Sequence, residues 1–261
     1  MPAPIDFVFS INVYNSVPTL ELQLRSIKIF VHGTYVVILN STPEFRHLLP
    51  PLPQNVIVNP HLISKRRFHG SILKGIVSNM HYALRHLQFK HFIVLSGRNI
   101  FYRPMHLDGL KRLAPFRPLR EKSGTPDDWH WGEMKNTLLA QHYLATGFRL
   151  HASAHEGLCL SAAACHAIVS FLNKNGAIAE NLFQKCACVE EFALQTIATI
   201  ESDGFLYIGN GCGPECDEAN INIYTRKIPF LDVQPTEQRN SFGGKGEQRA
   251  KGHKRFSLHF S

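Results

Sequence analysis

Strand-like apolar runs alternate with helical segments through the first hundred residues, and this order constrains the fold more than any other feature. The runs are DFVFSINVY, YVVILN, NVIVN and HFIVLSG. One helical segment, PTLELQLRSIKIF, has Pro18 near its first turn, and the other, SILKGIVSNMHYALRHL, repeats apolar residues near the helical period. Strands that alternate with helices predict an α/β fold built on a parallel sheet.

Polar residues stand where three of these runs end. The ends are residues 13–15, 40–42 and 96–99, which include Asn15, Asn40 and Ser96. Ligands of parallel α/β sheets bind beyond the carboxyl ends of the strands. The sequence therefore predicts a binding site where these three segments meet.

The second half of the chain is less regular. Residues 112–135 contain the polar, Trp-bearing stretch FRPLREKSGTPDDWHWGEMK, which predicts a long loop over a cleft. GLCLSAAACHAIVSFLNKNG predicts a strand that runs into a helix ended by Gly176. CVEEFALQTIATI predicts a helix with Glu190 and Glu191 in its first turn, and ANINIYTRK predicts a short strand. At 261 residues and 44% hydrophobic, the chain is expected to form one domain with a full core.

Charge and hydropathy limit the kinds of partner that the chain can be expected to bind. No apolar run is long enough to span a bilayer, and the first residues lack the features of a signal peptide, so a soluble, cytoplasmic protein with no membrane segment is expected. The formal charge is +8, and the final stretch KGEQRAKGHKRFSLHFS is rich in Lys and Arg. Such a tail is either merely solvated or binds nucleic acid, acidic lipid or a diphosphate.

A non-catalytic nucleic-acid or polyanion binder on an α/β fold is therefore the alternative function. Against it, the rest of the chain lacks an obvious stripe of basic and aromatic residues, so no nucleic-acid partner is expected.

The cysteines do not favour a metal site. All six lie between Cys159 and Cys216, as one C-x-C pair, one C-x-x-x-C pair and two others, whereas zinc sites normally show two tighter ligand pairs. Free buried thiols are the expected state in a cytosolic chain. A D-x-D triplet, which many nucleotide-sugar enzymes use to hold a divalent metal, is also missing, and Asp127 with Asp128 is the nearest substitute. A bound diphosphate would then be neutralised by Lys and Arg.

Four segments resemble a known family in its own order. HFIVLSGRNIFYRP resembles a Leu-Ser-Gly-x-Asp-Phe/Tyr-Pro block, FHGSILKGIVSNMHYALRHL a Gly-then-helix segment, EGLCLSAAACHAIVSFL a strand–helix block, and CVEEFALQTI a Pro-Asp-Glu helix start. The family comprises the core-2 and I-branching N-acetylglucosaminyltransferases and the peptide O-xylosyltransferases. The likeness covers roughly residues 5–200. Asn99 replaces the usual Asp, and Val189 with Glu190 replaces Pro-Asp.

The resemblance implies a GT-A-like, Rossmann-type mixed sheet with helices on both faces, in a single domain. Residues 1–110 would form the nucleotide-sugar half, and residues 111–261 the acceptor and catalytic half. It further implies inverting transfer, without metal, of xylose or N-acetylglucosamine from a UDP-sugar to a glycan or glycoprotein hydroxyl. The family's catalytic base falls on Glu191.

The remaining expected site residues fall into two groups. The donor-binding residues are Val13, Asn15, Asn40, Ser71, Ser96, Asn99, Arg226, Lys227, Lys254 and Arg255. The acceptor-binding residues are Trp129, Trp131, Glu133, Glu156 and Glu190, since aromatic faces stack on sugar rings and carboxylates bind hydroxyls.

The chemistry of inverting transfer agrees with Glu191 as base. One carboxylate must take the acceptor proton as the acceptor oxygen attacks the anomeric carbon. A helix N-terminus would keep that carboxylate ionised. Without the resemblance, the favourable interaction of Glu190 and Glu191 with the positive end of a helix dipole explains both residues equally well.

Overall fold

A six-stranded sheet forms the centre of the molecule. The computed structural model describes residues 3–110, 134–148, 150–151, 155–208 and 224–228. Within them the strand order is β4-β3-β1-β5-β8-β9. These strands are β1 (Ile5–Val13), β3 (Tyr35–Ser41), β4 (Val56–Val58), β5 (Phe89–Leu95), β8 (Leu158–Ser161) and β9 (Leu206–Tyr207).

The sheet is mixed and mostly parallel. Strand β1 pairs in parallel with β3 and β5, and β3 pairs in parallel with β4. Strand β8 is antiparallel to β5, and β9 is antiparallel to β8. The first residues of β8 therefore lie beside the carboxyl end of β5, with Cys159 opposite Ile93. The predicted α/β class is confirmed, and the direction of β8 adds a segment to the ligand-binding edge.

Helices cover both faces of this sheet. They are α1 (Val17–Phe30), α2 (Pro43–Arg46), α3 (Ser71–His86), α4 (Leu107–Leu110), α5 (Leu138–Ala145), α6 (Ala162–Lys174), α7 (Gly176–Gln184) and α8 (Ala193–Glu201). One hydrophobic cluster joins α3, α6 and α8 to one face, and a second joins α1 to the other. None of the described helices is long and apolar enough to cross a membrane.

Burial on both faces explains the continuous apolar sequence of β1. Phe7 and Phe9 pack into the cluster with α1, whereas Val8 packs into the cluster with α3. All three side chains are fully buried. Each contributes about 1.5–3 kcal/mol to stability through removal of apolar surface from water. A strand enclosed in this way is central, so its carboxyl end lies in the middle of the binding edge.

Two separate two-stranded sheets accompany the main sheet. Strand β6 (Asn99–Phe101) pairs antiparallel with β10 (Thr225–Lys227), and β2 (Val31–His32) pairs with β7 (Met105–His106). The backbone N–H of Ile228 also donates to the carbonyl of Arg98 at 3.0 Å. Strand β10 thereby holds Lys227 above the end of β5.

One predicted helix boundary is confirmed and one is wrong. Helix α6 ends at Lys174 with Asn175 as its C-cap, so it stops at Gly176 as predicted, and Gly176 also begins α7. Glu190 and Glu191 do not lie in the first turn of α8. They belong to a separate 3-10 turn, Val189–Glu191, and Phe192 stands between this turn and the helix. The sequence predicts that Glu190 and Glu191 interact with the dipole of this helix from its first turn. The structure places both residues before the helix instead.

Candidate functional site

A cleft of about 360 Å³ opens beyond the carboxyl ends of β1 and β5. This is the edge at which α/β sheets bind ligands. Backbone and side chains of the segments after β1, before α3, after β5, before β8 and before α8 line it, together with β10. The polar and charged lining residues are Asn12, Tyr14, Asn15, Ser16, Arg67, Ser96, Arg98, His155, Glu156, Glu190, Glu191 and Lys227.

His155 and Glu156 reach the cleft because β8 is antiparallel. The segment that enters β8 lies at the same edge as the segments that leave the parallel strands. Gly157, with a φ of +94°, allows a turn that other residues rarely adopt. Its N–H donates to the carbonyl of Val94 at 2.7 Å, and its carbonyl accepts from the N–H of Ile208 at 2.9 Å. These bonds fix the preceding His-Glu pair against the end of β5.

The 3-10 turn presents two glutamates with different exposure. Val189 and Phe192, on either side of the pair, are buried in the core beneath it. The N–H of Glu191 donates to the carbonyl of Cys188 at 3.1 Å, which holds the turn closed. The side chain of Glu190 is 1% exposed and that of Glu191 is 20% exposed. Only the second carboxylate is therefore substantially open to a substrate.

His155 lies at the centre of three carboxylates. Its Nδ1 is 3.6 Å from Oε1 of Glu191, 3.8 Å from Oε1 of Glu190 and 3.9 Å from Oε2 of Glu156. The imidazole is itself buried. Because all three carboxylates face one nitrogen, the protonation of this histidine determines how much of their charge is compensated.

Lys227 provides a second positive charge at the same place. Its Nζ contacts Oε1 of Glu156, the carboxylate oxygen that does not face His155. The side chain of Lys227 is 43% exposed, so the pair lies at the boundary between the cluster and solvent. Glu156 therefore bridges the two cationic groups of the site.

The cluster shifts the pKa values of its members in opposite directions. Burial alone would lower the pKa of His155, but Glu156, Glu191 and Glu190 raise it to about 9. Burial raises the pKa of Glu190 to about 7, although His155 opposes the change. Burial would also raise the pKa of Glu156, but His155 and Lys227 hold it below its ordinary value. At neutral pH the site thus combines an imidazolium, an ionised Glu156 and a Glu190 that is partly protonated.

The loop between β4 and α3 also lines the cleft, and Gly70 anchors it to α7 and to the residue that follows α7. A Cβ on Gly70 would lie 1.8 Å from the carbonyl oxygen of Leu182, so only glycine allows this approach to α7. The N–H of Gly70 donates to the carbonyl of Lys185 at 2.9 Å. Between these anchors and β4, Phe68 adopts a left-handed backbone with a φ of 53° and lies under the guanidinium of Arg67 at 4.5 Å. Arg67 and Phe68 both line the cleft.

Several of the predicted site residues meet in this cleft. Val13, Asn15 and Ser96 line it from the ends of β1 and β5. Glu156, Glu190 and Glu191 form its acidic cluster, and Lys227 lies beside them.

Three predicted donor-binding residues do not line the cleft, because their side chains serve the local structure. Asn40 is fully buried, and its Nδ2 donates to the carbonyl of His61. The hydroxyl of Ser71 accepts from the N–H of Arg66 at 3.0 Å. The Oδ1 of Asn99 accepts from the N–H and the hydroxyl of Ser96, at 2.9 and 2.7 Å. The side chain of Asn99 therefore shapes the turn after β5.

Other predicted residues lie outside the described part of the chain. They are Trp129, Trp131, Glu133, Lys254 and Arg255, with most of the predicted loop at 112–135. The backbone of Arg226 belongs to β10, but its side chain is not described. Among the cysteines described, Cys159, Cys165 and Cys188 are buried free thiols and Cys186 is an exposed one, which confirms the expected free state for these four.

The sequence-based prediction missed His155, Arg67 and Arg98. His155 precedes Glu156 directly, and Arg98 lies within the turn after β5, so both were within reach of the argument about strand ends. Arg67 precedes α3, which is also a boundary of a predicted element. The missing signal was the direction of β8, because an antiparallel strand brings the segment before it to the binding edge.

Three side chains could hold a metal ion. One ligand atom each of His155, Glu156 and Glu191 lie within 4.8 Å of one another. Imidazole and carboxylate together suit Zn²⁺ or Mn²⁺. In the arrangement present, an imidazolium proton and the ammonium of Lys227 provide the positive charge.

Lys65 does not line the cleft, and it gives the buried side chain of Asn40 a hydrogen-bond donor. Its Nζ donates to Oδ1 of Asn40 at 2.6 Å and to the carbonyl of Ile63 at 3.0 Å. Burial lowers the pKa of Lys65 to about 7. A neutral amine has two N–H donors, which are enough for both acceptors, so the contacts persist when the proton is lost.

This burial predicts a pH-dependent stability. Between about pH 7 and 10.5 the unfolded lysine binds a proton that the folded one does not, so the free energy of unfolding rises with pH across that window. The variant Lys65→Met lacks this contribution, so its stability relative to the wild type should be more favourable at pH 6.5 than at pH 9.5. Urea unfolding at both pH values measures the difference. Lys28→Met, at an exposed lysine, is the control and should show no such change. Equal pH slopes for the wild type and Lys65→Met would contradict the burial effect.

Family models and curated proteins provide no relative for this chain. No protein-family model matches the chain. No curated protein matches it either. The function therefore has to be inferred from the chemistry of the cleft.

Proposed function

We propose that the chain is an inverting glycosyltransferase of GT-A type. It transfers xylose or N-acetylglucosamine from a UDP-sugar to a carbohydrate hydroxyl without a metal ion, and Glu191 is the general base. The observation that carries this proposal is the position of Glu191. It is the more exposed carboxylate of a pair held on a core-anchored turn, and it faces a cleft at the carboxyl edge of a mostly parallel sheet.

The surroundings of Glu191 suit a base that acts on an acceptor. His155 Nδ1 is 3.6 Å from Oε1 of Glu191, which holds this carboxylate at the cleft. Glu190 has a pKa raised to about 7, which would suit a general base, but its side chain is 1% exposed and cannot reach an acceptor hydroxyl. The two adjacent glutamates are thus differentiated by burial, and Glu191 has access to the substrate.

The reaction moves one proton and exchanges one bond. The carboxylate of Glu191 takes the proton of the acceptor hydroxyl as its oxygen bonds to the anomeric carbon from the face opposite the leaving group. The bond from that carbon to the diphosphate oxygen breaks, and UDP leaves with the electron pair. The configuration at the anomeric carbon is therefore inverted.

Basic side chains are proposed to neutralise the departing diphosphate. Arg67, Arg98 and Lys227 line the same cleft as Glu191. Guanidinium groups bind phosphate oxygens through paired charge-assisted hydrogen bonds, and an ammonium binds them as a point charge. These three cations, and in the proposal also Lys254 and Arg255, take the place of a divalent metal.

Metal-free donor binding is the direct test of this function. UDP should bind in EDTA, and Lys227→Met should weaken UDP by about tenfold, because one charge-assisted contact to the diphosphate is lost. Uridine, which has no diphosphate, should bind both proteins equally. Isothermal titration calorimetry with UDP and with uridine measures both effects.

Thermal unfolding in the presence of different ligands distinguishes the transferase from a polyanion binder. A transferase is stabilised against thermal unfolding by UDP. A polyanion binder is stabilised by heparin or DNA instead, with a steep dependence on salt. Stabilisation by heparin alone, with no response to UDP in EDTA, would reject the proposed function.

A further inference from the structure

We propose that His155, Glu156 and Glu191 form a binding site for a divalent transition-metal ion of the Zn²⁺ type. One ligand atom of each residue lies within 4.8 Å of the other two, and Nδ1 of His155 is 3.6 Å from Oε1 of Glu191 and 3.9 Å from Oε2 of Glu156. This arrangement offers one nitrogen and two oxygen ligands, and Oε1 of Glu190 lies beside them at 3.8 Å from the same nitrogen. It is separate from the metal-free donor mode, which uses the basic side chains of the cleft.

The distances from Nδ1 of His155 to the carboxylate oxygens are close to the spacing of neighbouring ligand atoms in a tetrahedral site. Zinc binds imidazole nitrogen and carboxylate oxygen at roughly 2.0–2.2 Å, so neighbouring ligand atoms of a tetrahedron lie about 3.4 Å apart. The three distances from Nδ1 exceed this value by only a few tenths of an ångström. Small side-chain rotations would close the shell, without movement of the turn or of β8.

Two buried atoms at the site have no hydrogen-bond partner among the described residues. They are Nδ1 of His155 and Oε2 of Glu190. Both residues are more than nine-tenths buried and line the cleft. Buried polar atoms without a partner are costly and call for a ligand. A metal ion bound to Nδ1 of His155 would give that atom a partner, and its charge would compensate the neighbouring carboxylate of Glu190.

Lys227 controls access to the site. Its ammonium contacts Glu156 and supplies part of the charge that a metal ion would supply. A metal that binds Oε2 of Glu156 must therefore compete with the pull of this ammonium on the same carboxylate. Removal of Lys227 is expected to tighten metal binding, and this is the opposite of its expected effect on UDP.

The consequence for catalysis rests on the proposed function. A metal that holds Oε1 of Glu191 takes the carboxylate that would accept the acceptor proton. Zn²⁺ should therefore inhibit sugar transfer, and EDTA should restore it. The site would therefore allow a transition-metal ion to inhibit the enzyme by occupying its general base.

Titration of the full chain with Zn²⁺ alone, in calorimetry without nucleotide, tests the site. We expect one high-affinity ion per chain, and an affinity lowered at least tenfold in His155→Gln and in Glu191→Gln. Lys227→Met should raise the affinity several-fold. His81→Gln, at an exposed histidine, and Cys186→Ser, at an exposed thiol, should bind Zn²⁺ as the wild type does.

The outcomes discriminate clearly. If His155→Gln and Glu191→Gln both retain wild-type affinity, or if Cys186→Ser abolishes binding, the proposed site is wrong. Glu191 and Lys227 are partly exposed, so their variants decide the question even if His155→Gln does not fold. Failure of the metal site leaves UDP binding and transfer in EDTA unaffected. Failure of the transferase function leaves the zinc titration unaffected.

Discussion

Replacing Glu191 with Gln is expected to reduce the rate of sugar transfer by on the order of 10²- to 10⁴-fold. Gln preserves the shape of the side chain but cannot accept the acceptor proton. Affinity for UDP should stay within a few-fold, since the basic residues that are proposed to bind the diphosphate come from other segments. Initial rates with saturating donor and acceptor in EDTA, together with calorimetric UDP binding, measure the two effects separately.

Glu190→Gln is the matched control for this substitution. Glu190 is the neighbouring residue in the same turn, but its side chain is 1% exposed and its pKa is raised to about 7. Gln resembles the protonated form that Glu190 already adopts in part at neutral pH. Its transfer rate should therefore fall far less than that of Glu191→Gln. If Glu190→Gln is the inactive protein and Glu191→Gln transfers at a near-normal rate, the base is misassigned.

The first half of the fold could be predicted because its signals are local. The apolar run of β1 and the periodic apolar residues of α3 are properties of consecutive residues, and both elements form where the sequence places them. Their order predicted the α/β class. The carboxyl ends of β1 and β5 consequently line the cleft, as expected for parallel strands.

The structure of the second half of the chain was harder to predict because it depends on contacts between residues that are far apart in the sequence. The residue pattern around Leu158–Ser161 predicts a strand but not its direction, which is set by pairing with β5 about 65 residues earlier in the chain. Gly176 directly follows the C-cap of α6, as the frequency of glycine at this position predicts. The second helix, α7, begins at the same residue and was not predicted from the sequence.

The site was predicted in part for the same reason. Polar residues at strand ends are of two kinds, and the sequence does not separate them. Asn15 faces the cleft, whereas Asn99 accepts hydrogen bonds from Ser96 and stabilises the turn. Glu190 and Glu191 look equivalent in the sequence, yet burial gives them different exposure and different chemistry. Which of two polar residues is available to a ligand is decided by tertiary packing.

Of the substitutions considered, His155→Leu is expected to lower the free energy of unfolding the most. Removal of the imidazolium takes the counter-charge away from Glu190, which is buried, and leaves Lys227 as the cation beside the buried Glu156. Loss of one partner from a buried ionic cluster costs about 3–5 kcal/mol, because the charges that stay behind are uncompensated. The free energy of unfolding of His155→Leu, measured in urea at pH 7.5 with EDTA, should fall by this amount.

His91→Leu provides the matched control. Burial lowers the pKa of His91, so it is neutral in the fold, and it stacks on Phe7. Asp6, a carboxylate whose charge acts on His91, is held by Lys90 at 2.7 Å and by the N–H of Thr34 at 2.9 Å, so its charge stays compensated when His91 is removed. This variant should lose much less stability. Equal losses for the two variants would show that packing, and not charge compensation, accounts for the effect at His155.

A double-mutant cycle isolates the charge contribution. If His155 stabilises the fold by compensating Glu190, the pair His155→Leu and Glu190→Leu together should cost less than the sum of the two single changes. Removing both partners replaces an ionic contact with apolar side chains, which a buried site tolerates far better than a single unpaired carboxylate. Additive losses would mean that Glu190 does not depend on His155. In that case Glu156 and Glu191, with Lys227 on the solvent side, would be the groups whose charge the imidazolium balances.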